Sequence, residues 1–461
     1  MDSLQLSALD LMAFAGYVLG LLFIGYAAGR NRRTGTAEYF LAGRSLPWYA
    51  VGGSYVATNI SSEHFIGMLG AAYIYGICIS LNEWRSVWSL SLLVWLLIPF
   101  LLASRSFTIP EFLEKRFNAF LRHLFAVVTV ACNITVFLAA VLYGGGLATH
   151  PWPFMVVGFL SVSLWFHVLN QTMIQRVFAA RDMYHARMGI LFAGYLKAFM
   201  PVLVIFPGLI FFARDPDILL LPWSEVRAEA DKAYIRLVQE LVPIGLRGLL
   251  LAAFFGAVQS TINSVLNSTA TVVTLDLYRG LINPRADDRA LVRVGVWVSA
   301  LVLGVSVALA ILLVYWRDSI FVYMQTLIAF FAPPFAAVFL VGLLWKRINS
   351  AGAVAAVLAG FGLGVFLKVY SDSEAFPAFL RPYDNQGILI WVFSLLVCIG
   401  VSLGTAPPPP EKVGAATTLQ WGRTALLQDL DGARYKRVVF CWVLYVGLII
   451  GLVAFFSGWG D

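Results

Sequence analysis

The chain has 461 residues, of which 60% are hydrophobic and only 12% charged, and its mean hydropathy is +0.82. Soluble domains run about 25% charged and 45–50% apolar. The apolar excess therefore has no soluble core to fill and reads as many bilayer-spanning helices of roughly 20 residues each. The net charge of +7 does not point to nucleic acid, because the basic residues sit in short connectors between apolar runs, the positive-inside pattern of an inserted chain.

Twelve candidate spans follow one another near 8–29, 47–77, 80–103, 120–148, 152–175, 184–213, 244–276, 290–315, 319–345, 350–370, 386–404 and 437–457. The connectors after the odd-numbered spans, with the helix ends beside them, hold 22 of the 32 Lys and Arg. The other side holds 8, of which 5 lie in the long segment 214–247, and long loops obey the charge rule weakly. The alternation places both termini outside. The chain reads as one transmembrane unit over 1–461, with an extracellular loop near 214–243 and a cytoplasmic linker near 404–436.

Span one ends at Arg30, Arg32 and Arg33 and reads as a retained anchor, with no cleavable signal peptide. Span two contains Ala57-Thr58-Asn59-Ile60-Ser61-Ser62-Glu63-His64, in which six of eight side chains are polar or ionisable. Such a run must face protein or a water-filled cavity. A local unwinding here would expose carbonyls able to bind a cation at the midplane. The plainer alternative is a helix end, with Ser61 or Ser62 capping the next helix. Cys78, Cys132, Cys398 and Cys441 are scattered singly, with no metal-ligand spacing and no disulfide framework.

At the start of span three, Glu83 stands with Asn82 and Ser86, and Arg85 is near enough to pair with it. Lys197 sits inside span six with no carboxylate within a helical turn; a lone mid-span lysine is costly and marks a functional site, while snorkelling to a helix end is the alternative. Segment 214–243 mixes acids and bases with Trp223 and Tyr234, as in a helix lying on the outer surface. Span seven carries Ala257-Val258-Gln259-Ser260-Thr261. Ser260 and Thr261 project about 100° apart and can offer two oxygens to one hard cation, or simply bond back to the preceding turn. In span nine, Gln325 precedes Pro333-Pro334, which are expected to interrupt the helix; its alternative role is to hydrogen-bond a neighbouring helix. Pro407 to Pro410 form a stiff stretch in the last linker. No phosphate-cradling glycine motif, metalloprotease helix or nucleophile–base pair suggests an enzyme.

Several stretches closely resemble the sodium/solute symporter family, in its sodium/glucose and sodium/myo-inositol branch. They are Tyr39 to Trp48, Asn59 to Gly67, Thr108 to Phe112 with Lys115-Arg116-Phe117, Gln171 to Arg176, Leu266 to Thr271 and Gly342 to Lys346. The resemblance covers nearly the whole chain. It implies an all-α, leucine-transporter-type inverted-repeat bundle in the plasma membrane. It also implies a sodium ion held by the carbonyls of Ala57, Ile60 and Ala257 and the hydroxyls of Ser260 and Thr261. A sugar or polyol would be bound by residues matching Asn59, His64, Glu83, Ser86, Lys197 and Gln325, whose donors and acceptors suit a neutral polyol. Met68 and Phe321 match an outer gate and Phe166 an inner one.

The chain departs from the family pattern in four places. The inner gate is usually Tyr and is Phe166 here. The next position, often Trp, is His167, and Ser163 stands where some members have Asn. Two core helices that normally separate the stretch near Leu147 from the Gln171 helix are replaced by a short link around His150-Pro151. The functions implied are sodium-coupled sugar or polyol import, sodium symport of another small solute, or a sugar-binding sensor or degenerate remnant that no longer transports.

Overall fold

The computed structural model describes residues 6–29, 35–61, 63–134, 162–214, 216–220, 226, 234–313, 320–371, 373, 376–381, 383–420 and 432–456. Among these the regular structure is helical, apart from one isolated bridge between Leu46 and Ala180. Nine of the described helices are long and apolar enough to cross a membrane. Helix α1 (Ala8–Gly29) is followed by the short α2 (Thr36–Leu41). Then come the two halves of span two, α3 (Trp48–Asn59) and α4 (Leu69–Tyr75), joined through a π-helical turn Glu63–Met68. A single turn, Leu81–Trp84, leads into α5 (Ser86–Ala103). Next are α6 (Ile109–Arg116), α7 (Ala119–Cys132), α8 (Gln171–Phe178) and α9 (Met183–Arg214). The rest are α10 (Leu246–Ile282), α11 (Asp288–Leu313), α12 (Ile320–Leu344), α13 (Ser350–Tyr370), α14 (Tyr383–Gly404) and α15 (Gly432–Phe456).

The expected spans 8–29, 184–213 and 350–370 agree with α1, α9 and α13 to within a residue. Spans 120–148 and 152–175, with the link at His150-Pro151, lie partly outside the described residues. The expected interruption at Pro333-Pro334 does not occur, since α12 runs through both prolines. The Pro334 ring packs into the gap left by Gly360 of α13, and neighbouring helices in a bundle support a proline-bearing segment.

The 32 residues of α9 span about 48 Å at 1.5 Å per residue. This length lets it lie along both halves of the broken helix. A Cβ on Gly52 of α3 would collide with the Gly189 carbonyl, and one on Gly189 would collide with Val51. Nearer the other end, a Cβ on Gly208 would strike the Leu69 carbonyl of α4. Small residues let helix backbones approach closely where lipid supplies no hydrophobic drive. Alpha-nine thus splints the break, with Lys197 between the two contact points.

The stretches that carry the family resemblance meet near the end where α3 begins. Gln171 accepts from the Ile109 amide (2.9 Å), and Gln175 donates to the Phe40 carbonyl (2.7 Å) and to Thr271 (2.9 Å). Buried Arg116 donates to the carbonyls of Gly342 (2.8 Å) and Ile348 (2.9 Å), placing a cation at the C-terminal end of α12. Asp276 at the end of α10 is fully buried, accepting from Arg122 (2.8 Å) and Thr108 (3.0 Å).

At the opposite end, the segment expected as an outer surface helix has a 3-10 turn at Pro216–Leu220 and a helix over 234–241. Tyr234 packs its ring against Phe65 and Phe254, whereas Trp223 lies outside the described residues. Pro409 is extended (φ −59°, ψ 144°), as the proline run requires.

Gly189→Val should lower stability by about 1–3 kcal/mol, the usual cost of overpacking. Gly16→Ala, where nothing lies within 4 Å of the added methyl, should leave it unchanged. Thermal unfolding of the purified protein in detergent checks both.

Candidate functional site

Alpha-three ends at Asn59, and the next residue, Ile60, is extended (φ −71°, ψ 121°). The last carbonyls of a helix have no partners inside it, so the break leaves oxygens pointing away from the chain's own amides. Thr261 of α10 meets them. Its hydroxyl lies 2.9 Å from the Ile60 carbonyl, 3.2 Å from that of Thr58 and 3.2 Å from that of Ala257. One hydroxyl proton can serve only one of three carbonyls at a time. Four oxygens sharing one proton make an electron-rich knot of the kind a hard cation satisfies.

Three of the five expected ion ligands, Ile60, Ala257 and Thr261, are therefore brought together. The Thr58 carbonyl, next to that of Ala57 in the chain, joins them. Half-buried Ser260 is one position along and is not drawn into the knot. Below it, the Thr58 hydroxyl is 2.7 Å from the Ser264 hydroxyl, which accepts from Arg176 at 2.5 Å. Arg176 also donates to the Thr172 carbonyl and to Ser54. Ser264 and Arg176 were absent from the expected set of ligands. The serine one helical turn beyond Ser260 was the available signal.

On the other side of the break, five of the six expected substrate residues are linked in one chain, four of them buried. Lys197 of α9 donates to the Asn59 side-chain oxygen and pairs with Glu83 at 2.6 Å. The second Glu83 oxygen is 3.4 Å from His64, on the π-helical turn. Ser86 donates to the Glu83 carbonyl at 2.6 Å, fixing the turn that presents the carboxylate. Glu83, His64, Ser86 and Lys197 are all buried. Sequence proximity offers Arg85 as a partner of Glu83, and the fold adds Lys197 and His64, which meet the carboxylate from other elements. Alpha-nine crosses at the break and brings the lysine close, a long-range contact that helical spacing does not show.

Met68 is buried among Ala72, Met200, Val204 and Ile205, at the start of α4. Phe166 is half-buried on a second π-helical turn, Trp165–Leu169. Such turns recur at functional sites because they redirect side chains from the helical register. The backbones of Phe321 and Gln325 belong to α12, but their side chains lie outside the described residues. The two departures at Ser163 and His167 lie together: the imidazole Nδ1 is 3.0 Å from the Ser163 carbonyl and 3.0 Å from the Ser89 hydroxyl.

The sequence pattern of the sodium:solute symporter family matches residues 39–148 and 146–360. The chain belongs to this family. It is 31% identical to a sodium/glucose cotransporter of Vibrio parahaemolyticus, over 95% of this chain and 98% of that protein. It is 27% identical to a human sodium/myo-inositol cotransporter, over 92% of this chain and 76% of that one. Among solved structures, a Na+-coupled sialic acid symporter in a substrate-bound outward-open state matches with a TM-score of 0.75 at 18% identity. That match covers 87% of this chain and 98% of the other, and it supports the leucine-transporter-type bundle as the fold.

The family match falls into two pieces that meet at 146–148. The match to the Vibrio protein runs over 546 positions against 461 residues here, so stretches of that relative have no counterpart in this chain. The junction coincides with the place where the sequence puts the missing pair of helices.

Lys197→Met should cost about 3–5 kcal/mol, because it leaves the buried Glu83 charge without its ammonium partner. Adding Glu83→Gln should recover most of the loss. Unfolding temperatures of the single and double variants measure the coupling.

Proposed function

We propose that the chain is a sodium-coupled symporter that imports a neutral sugar or polyol across the plasma membrane, with both termini outside, as one transmembrane unit. The observation that carries this reading is that a cation-suited knot of oxygens and a buried donor–acceptor cluster flank the same helix break. Ile60, Thr58, Ala257 and Thr261 face one side, and Asn59, Lys197, Glu83 and His64 face the other. In this reading the sodium site includes Ala57 and Ser260 as well, and Gln325 completes the substrate rim. Met68 and Phe321 close the outer side, and Phe166 the inner. The names of the Vibrio and human relatives favour glucose or myo-inositol over other solutes.

Sodium bound at the break would tie α3 to α10 and order the residues that present Asn59 and His64. Substrate would then meet a preorganised site. Coupling of this kind follows when each ligand stabilises the conformation the other prefers. The membrane potential adds about 2.3 kcal/mol per charge per 100 mV to the driving force.

A second reading follows from the broken family match at 146–148. A bundle without the intervening helices could bind sugar and no longer move it.

Labelled glucose, galactose and myo-inositol uptake into transport-deficient cells, in sodium and in potassium, separates the two. Sodium-dependent accumulation, blocked by sugars and not by proline, supports the symporter. Binding to purified protein without accumulation supports the second reading. In an active chain, Thr261→Val and Ser260→Ala should each raise the sodium concentration needed for half-activation, the former by roughly tenfold or more. Gln325→Ala should weaken sugar affinity while leaving sodium activation intact. Unchanged sodium activation in both hydroxyl variants would remove the assigned ion site.

A further inference from the structure

The last helix reaches the buried charge cluster through one side chain. Most of α15 faces away from the bundle, and its buried positions are Val438, Tyr445 and Ile449. The helix packs on both α9 and α5. Tyr445 is 1% exposed, and its ring fills the space that Gly194 leaves on α9: a Cβ on that glycine would lie 2.7 Å from Tyr445 Cζ. Gly194 is about one turn before Lys197, and Ser86 is about one turn after Glu83. The phenol therefore enters between the two elements that carry the ion pair, beside Ser86 and within electrostatic reach of Glu83. Two further bonds seat α15 here, from Tyr195 to the Cys441 carbonyl (2.7 Å) and from Trp442 to the Ser91 hydroxyl (2.9 Å).

The protons at this junction are unevenly shared. The Ser86 hydroxyl gives its proton to the Glu83 carbonyl at 2.6 Å, so its oxygen is left to accept. The Tyr445 hydroxyl is buried and makes no hydrogen bond of full geometry among the described residues. A donor and an acceptor thus stand side by side, short of a bond, behind the turn that presents the Glu83 carboxylate. A buried donor left unpaired is costly, and a slight advance of that turn toward α15 removes the cost.

We infer that Tyr445 is a positioning residue for the substrate site: its phenol donates to the Ser86 hydroxyl as a solute engages Glu83, so that the last helix sets how the carboxylate is presented. This rests on the polyol reading above and adds to it a residue from a helix that carries none of the expected ligands. The ring and the hydroxyl have separate tasks. The ring spaces α15 from α9 at Gly194, and the hydroxyl backs the Glu83 turn. Because the bond is completed as the turn engages solute, its free energy enters the affinity for solute and not the stability of the fold.

Tyr445→Phe keeps the ring against Gly194 and removes only the hydroxyl. Binding of tritiated glucose, galactose and myo-inositol to the purified chain in sodium should weaken roughly fivefold in this variant, with the unfolding temperature unchanged. Ser86→Ala should weaken binding by itself, and adding Tyr445→Phe to it should bring no further loss, since the phenol acts through Ser86. Tyr195→Phe removes a hydroxyl that bonds Cys441 and not Ser86, and should leave the affinity as it is. Unaltered affinity in Tyr445→Phe, additive losses in the double variant, or an equal loss in Tyr195→Phe would each overturn the assignment. Carbon-13 NMR of tyrosine labelled at Cζ, with the Tyr445 signal assigned by its absence in Tyr445→Phe, reads the contact without any sugar. Ser86→Ala should move that signal, and an unmoved signal refutes the link. A wild-type chain that binds none of the three solutes, in which Ser86→Ala still moves the signal, would refute the polyol reading and leave the Tyr445–Ser86 link standing.

Discussion

An ammonium group in the middle of a membrane helix cannot face lipid and needs partners inside the bundle. Lys197 meets that demand through Glu83 and Asn59, and the rest of the site is arranged around the solution. The three partners come from α9, from the turn before α5 and from the broken end of α3. Satisfying one charge therefore fixes three elements relative to one another. The glycine contacts at Gly189 and Gly208 set how close α9 comes. The ion pair determines that the lysine faces the break rather than lipid. Breaking a buried pair is far more costly than never having made it, so this arrangement confines the local geometry to a narrow set of states.

The ion side of the break depends on the same discontinuity but uses different chemistry. No carboxylate approaches the Thr261 hydroxyl among the described hydrogen bonds; its neighbours are backbone carbonyls released by the end of α3 and the carbonyl one turn back on α10. A neutral cage of this kind suits a small monovalent cation, whereas the Glu83 cluster is held by charge. Dipoles are gathered on one side of the helix end and charges on the other, so the two clusters share that helix end and not their chemistry.

Much of this architecture is legible in the residues themselves. Apolar runs of about 20 residues mark the spans. Six polar side chains in eight positions mark the break, and an isolated lysine marks its need for a partner. The identity of that partner is not legible, because Glu83 and Lys197 are more than a hundred positions apart and meet only through helix packing. Local spacing favoured Arg85 for the same reason. The continuous course of α12 through Pro333 and Pro334 was hidden likewise, since it depends on a glycine in the next helix. Carbonyl ligands are the hardest to assign, as every residue owns one. The turn at Ile60 brings the Thr58 carbonyl to Thr261, which spacing alone does not show. Ser163 and His167 read as two separate departures from the family pattern, yet the fold brings them into contact.

Thr58 belongs to both systems at once. Its carbonyl faces the oxygen knot, while its hydroxyl takes a proton from Ser264 and passes its own to the Ser54 carbonyl at 2.8 Å. The Ser54 carbonyl, which can only accept, takes the Thr58 proton and so sets the direction of that relay, and Arg176, Ser54 and Asn267 line a cavity of about 180 Å³ beside α2. A small rotation of the last turn of α3 must therefore shift a cage oxygen and a hydroxyl of the relay together. The residue acts as a crank pin: the oxygen knot and the Ser264–Arg176 relay cannot be retuned independently, and a substitution made to adjust one will be read out in the other.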